Sequence, residues 1–136
     1  MSLLAIFMSV PALACTVDVA PLSFGSVNPL DGVDTDSVTT LSVTCPSDTA
    51  YAATVNAGPG GFSDRRMTGA QGSLGYQLYT EASRSLIWGD GSAGTNAIAG
   101  TAGTAGETHN LYGRVPAQPL AVPGSYSDTL LVTITY

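Results

Sequence analysis

The sequence predicts an all-β domain, a sandwich of short strands, on three observations. Apolar and β-branched residues alternate with period two in several short runs, and turn residues recur between those runs. After residue 15 no segment sustains a 3.6-residue apolar period, so helix is confined to short turns at most. Roughly six to eight strands at this turn spacing form a β-sandwich. The chain has 136 residues, enough for one core and too few for two. Its 16 Gly and 8 Pro, with charged residues at 10 %, suit short strands and many turns.

Residues 1–14 come first and read as a secretory signal. The run is apolar and small, and Ala12 and Ala14 supply the small −3 and −1 side chains a signal peptidase needs. It carries no Lys or Arg near Met1. Fourteen residues are too few to span a bilayer, so a membrane helix is disfavoured. The mature domain is then 15–136. Cleavage before Cys15 invites lipid attachment as a rival, but that chemistry wants Leu at −3, where Ala12 stands and Leu13 follows. The other cysteine, Cys45, gives an even count in an exported chain, which favours a disulfide. By strand phase Cys15 shares a face with Val17 and Val19, and Cys45 shares one with Leu41 and Val43. Both sulfurs enter one core if these strands are neighbours.

The expected strands are 15–20, 38–45, 51–57, 74–80, 108–115 and 126–136, with weaker ones near 24–27 and 86–88. Turn chemistry separates them at N-P-L-D-G (28–32), C-P-S-D (45–48), G-P-G-G (58–61) and W-G-D-G (88–91). Residues 91–106 are low in complexity and read as an exposed loop or a poorly packed edge. A further turn bearing Pro119, Pro123 and Gly124 precedes the last strand. There Leu130, Val132, Ile134 and Tyr136 share one face, with Thr129, Leu131, Thr133 and Thr135 on the other. A core strand with nothing after it raises the question of what covers its edge.

The net charge is −6, with four Arg (Arg65, Arg66, Arg84, Arg114) and no Lys. Such a surface lacks the basic stripe that nucleic acid or an anionic membrane requires. Missing lysine also excludes Lys–Asn isopeptide cross-links, so any polymer is held by other means.

Few residues carry chemistry. His109 is the sole histidine and no nucleophile-elbow sequence accompanies it, which disfavours a catalytic triad. Zinc would need more histidines or a free thiol, so no metal or cofactor is expected. D-G-V-D-T-D at 31–36 has the wrong spacing for a calcium loop and reads as a solvated turn, as does G-D-G at 89–91. Trp88 reads as a core or rim aromatic, with an exposed binding aromatic as the rival. Arg114 reads as a structural ion pair or a side chain laid over the sheet. Glu81 and Glu107 could serve a glycosidase only if correctly spaced; solvent exposure is the simpler reading.

The chain also resembles the spore coat protein U domain family, which includes subunits of archaic chaperone–usher pili. The likeness rests on C-T-V at 15–17, P-L-S-F-G at 21–25, V-T-C-P at 43–46 and Y-Q-L-Y-T-E-A at 76–82. It continues with W-G-D-G-S-A-G-T at 88–95, Y-G-R-V-P-A at 112–117, P-G-S-Y-S-D-T at 123–129 and the terminal V-T-I-T-Y. The resemblance implies an immunoglobulin-like sandwich one strand short, completed by donor-strand complementation from a neighbouring subunit. It implies a periplasmic chaperone, an outer-membrane usher and neighbouring pilus subunits as partners. The protein would pass through the periplasm to the cell surface or be secreted, serving adhesion and biofilm formation. Strand addition gives backbone hydrogen bonds and pockets for alternate side chains. On this reading Leu130, Val132, Ile134 and Tyr136 line one wall of the acceptor groove, and Val17 and Val19 line the other. Rod-forming members usually carry a donor segment before the first cysteine. Here the upstream residues L-L-A-I-F-M are continuously apolar and read as signal, so the subunit is expected to accept a strand without giving one, as at a pilus tip. The competing expectations are a self-complete surface- or carbohydrate-binding module and, less favoured, a small secreted hydrolase.

Overall fold

The structure, a computed structural model, describes residues 2–10, 15–26, 32–58, 60–118, 121–122 and 124–136. Among these there are ten strands and no helix. They are β1 (Ser2–Val10), β2 (Thr16–Val19), β3 (Leu22–Ser26), β4 (Thr35–Thr44) and β5 (Thr49–Val55). The remainder are β6 (Arg65–Gly69), β7 (Gly72–Tyr79), β8 (Ile98–Ala102), β9 (Glu107–Val115) and β10 (Tyr126–Thr135).

Period-two patterning makes each long strand half-buried. In β4, Thr39, Leu41 and Val43 point inward, and in β9, Leu111, Gly113 and Val115 do so. One sheet runs β2–β4–β9–β7. The other places β10 between β1 and the pair β5/β6, with β3 beyond β1 and β8 beyond β5. β7 belongs to both. Its first residues pair with β6 across a tight turn at Gly69↔Gly72, while Gln77–Tyr79 pair with β9. The two sheets therefore curl into one wrapped layer around a single core, the immunoglobulin-like sandwich class expected from the strand pattern. Gly72, at φ 131°, takes a backbone conformation that a side chain would strain.

Leu41, Val43, Met67, Leu74, Leu78, Leu111, Leu130 and Val132 fill the space between the sheets, each essentially inaccessible. Burial of each such side chain contributes about 1.5–3 kcal/mol. Trp88 lies at the centre, fully buried, its indole N–H donating to Ala53 O at 3.1 Å. Gly113 on β9 admits Leu22 and Phe24 of β3 from the opposite sheet, since a Cβ there would stand 2.5 Å from Leu22 Cδ2.

The cysteines are joined as their strand phases indicated. β2 pairs antiparallel with β4, Thr16↔Thr44 through Val19↔Leu41, which brings Cys15 and Cys45 together at a Cα separation of 4.2 Å. The disulfide is buried, and closing a loop of 30 residues contributes about 3–4 kcal/mol in the chain-entropy model.

The strand map differs from the sequence reading in four places. Residues 2–10, read as part of an export signal, form β1 in the chain as it stands. Residues 65–69, not expected as a strand, form β6, because Arg65 and Met67 both point inward and disguise the alternation. The low-complexity stretch contains β8, an edge strand with Ile98 and Ala102 buried. Its Ala, Gly and Thr side chains offer too little hydrophobic contrast to reveal a period. In place of the strand expected near 86–88, Ile87 and Trp88 make isolated bridges, Tyr79↔Ile87 and Trp88↔Asn96. The signal boundary at Ala12 and Ala14, Asp31, most of the turn at 28–32, and Pro59, Pro119 and Pro123 lie outside the described residues.

Candidate functional site: the slot beside the C-terminal strand

β10 alternates because Tyr126, Leu130, Val132 and Ile134 face the core while Ser127, Thr129, Leu131 and Thr135 face outward. Its antiparallel neighbours are β6 at Ser127↔Thr68 and β5 from Val132↔Val55 to Thr135↔Ala52. The opposite edge is filled by β1, which runs parallel to it from Leu3↔Tyr126 to Val10↔Thr133. This is the one parallel pair among the named strands. It joins the two ends of the chain. β1 pairs antiparallel on its far side with β3, and β3 has no other strand partner among the described residues. β1 thus occupies a slot whose hydrogen-bonding walls are β10 and β3.

The expected groove residues divide between walls and surroundings. Leu130, Val132 and Ile134 lie on the inner row of β10, all buried. Tyr136 follows the strand's last residue and is 51 % exposed, so it stands apart from that row. Val17 and Val19 belong to β2 in the facing sheet, half-buried against the core, with β1 passing alongside. The strand bonded across the slot is β3, which supplies buried Leu22 and Phe24.

One member of the inner row is polar. Asp128 stands opposite Ala5, which is completely buried, and accepts a hydrogen bond from Tyr76 Oη at 2.5 Å. Burial and this carboxylate push the Tyr76 phenol far above its ordinary range. Next to it Arg65, 1 % exposed, donates through Nε to Gln77 Oε1 (3.1 Å) and through its terminal nitrogens to Asn56 O (2.9 Å) and Trp88 O (2.9 Å). Burial lowers its pKa. Sequence reasoning missed both groups. The signal was there in phase: Arg65 shares a face with Met67, and Asp128 shares one with Leu130.

The other singled-out residues serve local structure. Arg114 holds Asp36 with two bonds, 2.7 and 3.1 Å, across the β4–β9 register. Asp34 accepts the N–H of Ala117 at 3.1 Å. Asp90 caps its own turn through Ser92 N–H at 2.8 Å. Glu81 accepts the N–H groups of Ser85 and Leu86, which close the following loop. His109 meets Tyr51 and Glu107 rather than a serine. Among the described residues no group of three or more His, Cys, Asp or Glu could hold a metal, and no helix is long and apolar enough to cross a membrane.

Comparison with known proteins bears on what the slot is. No curated protein matches the sequence. Among solved structures, the fold is similar to a chain in the crystal structure of the CsuC–CsuE chaperone–tip adhesion subunit pre-assembly complex, from the archaic chaperone–usher Csu pili of Acinetobacter baumannii. The TM-score is 0.62 at 18 % identity, over 90 % of this chain and 39 % of that one. At that identity the likeness concerns the fold. The sequence profile of the Spore Coat Protein U domain matches residues 3–133, nearly the whole length, and the chain belongs to that family.

Proposed function

We propose that this protein is an exported, non-enzymatic subunit of a chaperone–usher pilus whose interaction surface is the slot beside β10. The observation that carries the reading is that the strand filling this slot is the segment whose sequence reads as an export signal. Removal of residues 1–14 would leave the edge of β10 without its parallel partner and β3 without the one strand partner it has among the described residues. Leu130 and Val132 would then face water along an open strand edge, a template for pairing with another chain. A periplasmic chaperone, and later a neighbouring subunit delivered at an outer-membrane usher, would supply the missing strand by β-augmentation. Membership of the Spore Coat Protein U domain family and the likeness to a chaperone–subunit complex support this reading.

The test is co-expression in a periplasm with and without an archaic-type chaperone. The expected product begins at Cys15, is recovered bound to the chaperone, and aggregates or is degraded without it. A chain beginning at Cys15 that remains a stable monomer alone would overturn the proposal in favour of a self-complete surface- or carbohydrate-binding module. A place at the pilus tip, with a role in attachment and biofilm, is the finer part of the proposal. Immunogold label confined to one fibre end would support it, and label along the shaft would refute it.

A further inference from the structure

We propose that Tyr51, Glu107 and His109 form a proton-sensitive clasp that holds the edge strand β8 against the opposite sheet. The three side chains come from both layers, Tyr51 from β5 and the other two from β9. Tyr51 Oη donates to Glu107 Oε1 at 2.7 Å. His109 Nε2 lies 2.5 Å from that hydroxyl and 2.9 Å from the same carboxylate oxygen, so one Nε2–H can serve both. β8 lies alongside them. Gly100 is the register partner of Tyr51, and a Cβ there would stand 1.9 Å from Glu107 Oε1 and 2.8 Å from Tyr51 Oη. Only glycine lets the ring and the carboxylate lie on this strand. A carboxylate from the opposite sheet therefore lies directly against the backbone of an edge strand.

Protons from solvent can reach the clasp. Glu107 is 36 % exposed, and His109 borders a cleft of about 350 Å³ lined also by Thr80, Glu81, Ile98 and Asn110. The surroundings offer few competing charges. β8 carries no titratable residue, and β4 presents Leu41, Ser42 and Val43 opposite this part of β9. Glu81 shares the cleft, and Asp48 lies beside Gly103 past the end of β8. The bond from Tyr51 Oη, the largest effect, holds the Glu107 carboxyl below its usual range. A group depressed on folding contributes stability above its unfolded value, and that contribution is lost as pH falls through its folded value. Acid should loosen β8 first.

Amide hydrogen exchange on the full chain tests this, read as protection of residues 99–101 relative to Leu41 and Leu111. Between pH 7 and pH 3 the β8 protection is expected to fall by about tenfold or more, with β4 and β9 unchanged. Glu107→Gln should begin with lowered β8 protection and show no further step with pH. Tyr51→Phe, which removes the bridging hydroxyl, should also lower β8 protection at pH 7. If Glu107→Gln follows the same pH profile as the parent, the clasp is refuted. Should that variant fail to fold, the parent decides alone: a loss confined to β8 supports the clasp. No loss, or one shared equally with β4 and β9, overturns it.

Discussion

β4 and β10 are each ten residues long, alternate in burial and have a strand on both sides. Their neighbours differ in kind. β4 is flanked by β2, which the Cys15–Cys45 disulfide ties to it, and by β9 along a continuous antiparallel register from Thr35↔Val115 to Val43↔Glu107. β10 is flanked on one side by two shorter strands and on the other by the parallel β1, the segment most remote from it in sequence. One half of the molecule is closed by a disulfide and a continuous antiparallel register. The other is closed by a segment that the proposed export step removes. On that proposal, an interaction surface would arise from the loss of one strand beside an otherwise buried core row.

The strongest way to break this contrast is to charge the inner row of β10. Val132→Asp places a carboxylate at a position with no solvent exposure and is expected to cost more than about 4 kcal/mol. Chaperone capture and fibre assembly should both be abolished, as scored by co-purification and electron microscopy. Leu131→Asp, one residue along on the 40 % exposed outer face, should assemble normally. Normal assembly by Val132→Asp would remove β10 from the interaction surface.

The closed half is tested next, through its covalent link. Thiol counting on the denatured, unreduced protein should find no free thiol, and the Cys15→Ser, Cys45→Ser pair should lose about 3–4 kcal/mol in urea unfolding. Two titratable thiols, or an acylated Cys15, would contradict the disulfide as the state of the exported protein.

A smaller loss should follow from Arg65, which braces the β6–β7 flank of β10. Arg65→Met fills similar volume but removes the donor that Arg65 supplies to Asn56 O and Ala57 O, an expected loss of about 2–3 kcal/mol in urea unfolding. An unchanged midpoint would show that these carbonyls find other partners.

The same contrast explains what could be read from the sequence. The closed half was legible: C-T-V-D-V and L-S-V-T-C alternate cleanly, and their phases put both cysteines on one face. Trp88 and Arg114 also have the structural placements the sequence favoured. The slot was only half legible. The inner row of β10 shows plainly in L-L-V-T-I-T, but its partner is the continuously apolar L-L-A-I-F-M, where no period distinguishes strand from signal. The period-two signal of β3 is weak near residues 24–27, while Val17 and Val19 of β2 alternate cleanly, so sequence points to β2 where the structure bonds β3. Asp128 and Arg65 escaped for another reason. Charged residues on an inward phase look like breaks in a pattern until Tyr76 and Gln77 supply their partners.

The smallest expected effect lies at the open end of the β4–β9 pair and sharpens the comparison from the other side. Asp36 and Arg114 face each other in register and form a two-point ion pair, with Arg84 Nε 3.6 Å from the same carboxylate. The hydrogen bonds from Arg114 hold the Asp36 carboxyl below its usual range. Both side chains are more than a third exposed, so solvent screens the pair, and a double-mutant cycle with Asp36→Asn and Arg114→Gln should give only a small coupling energy. Because folding depresses the carboxyl, that coupling is present above the unfolded carboxylate range and is lost as pH falls through the folded value. It should also shrink in about 1 M salt, where exposed charges are screened within a few ångströms. A coupling energy several times larger, insensitive to salt, would mean that β4 and β9 depend on this ion pair. The closed half would then rest on electrostatics as much as on its disulfide and apolar core.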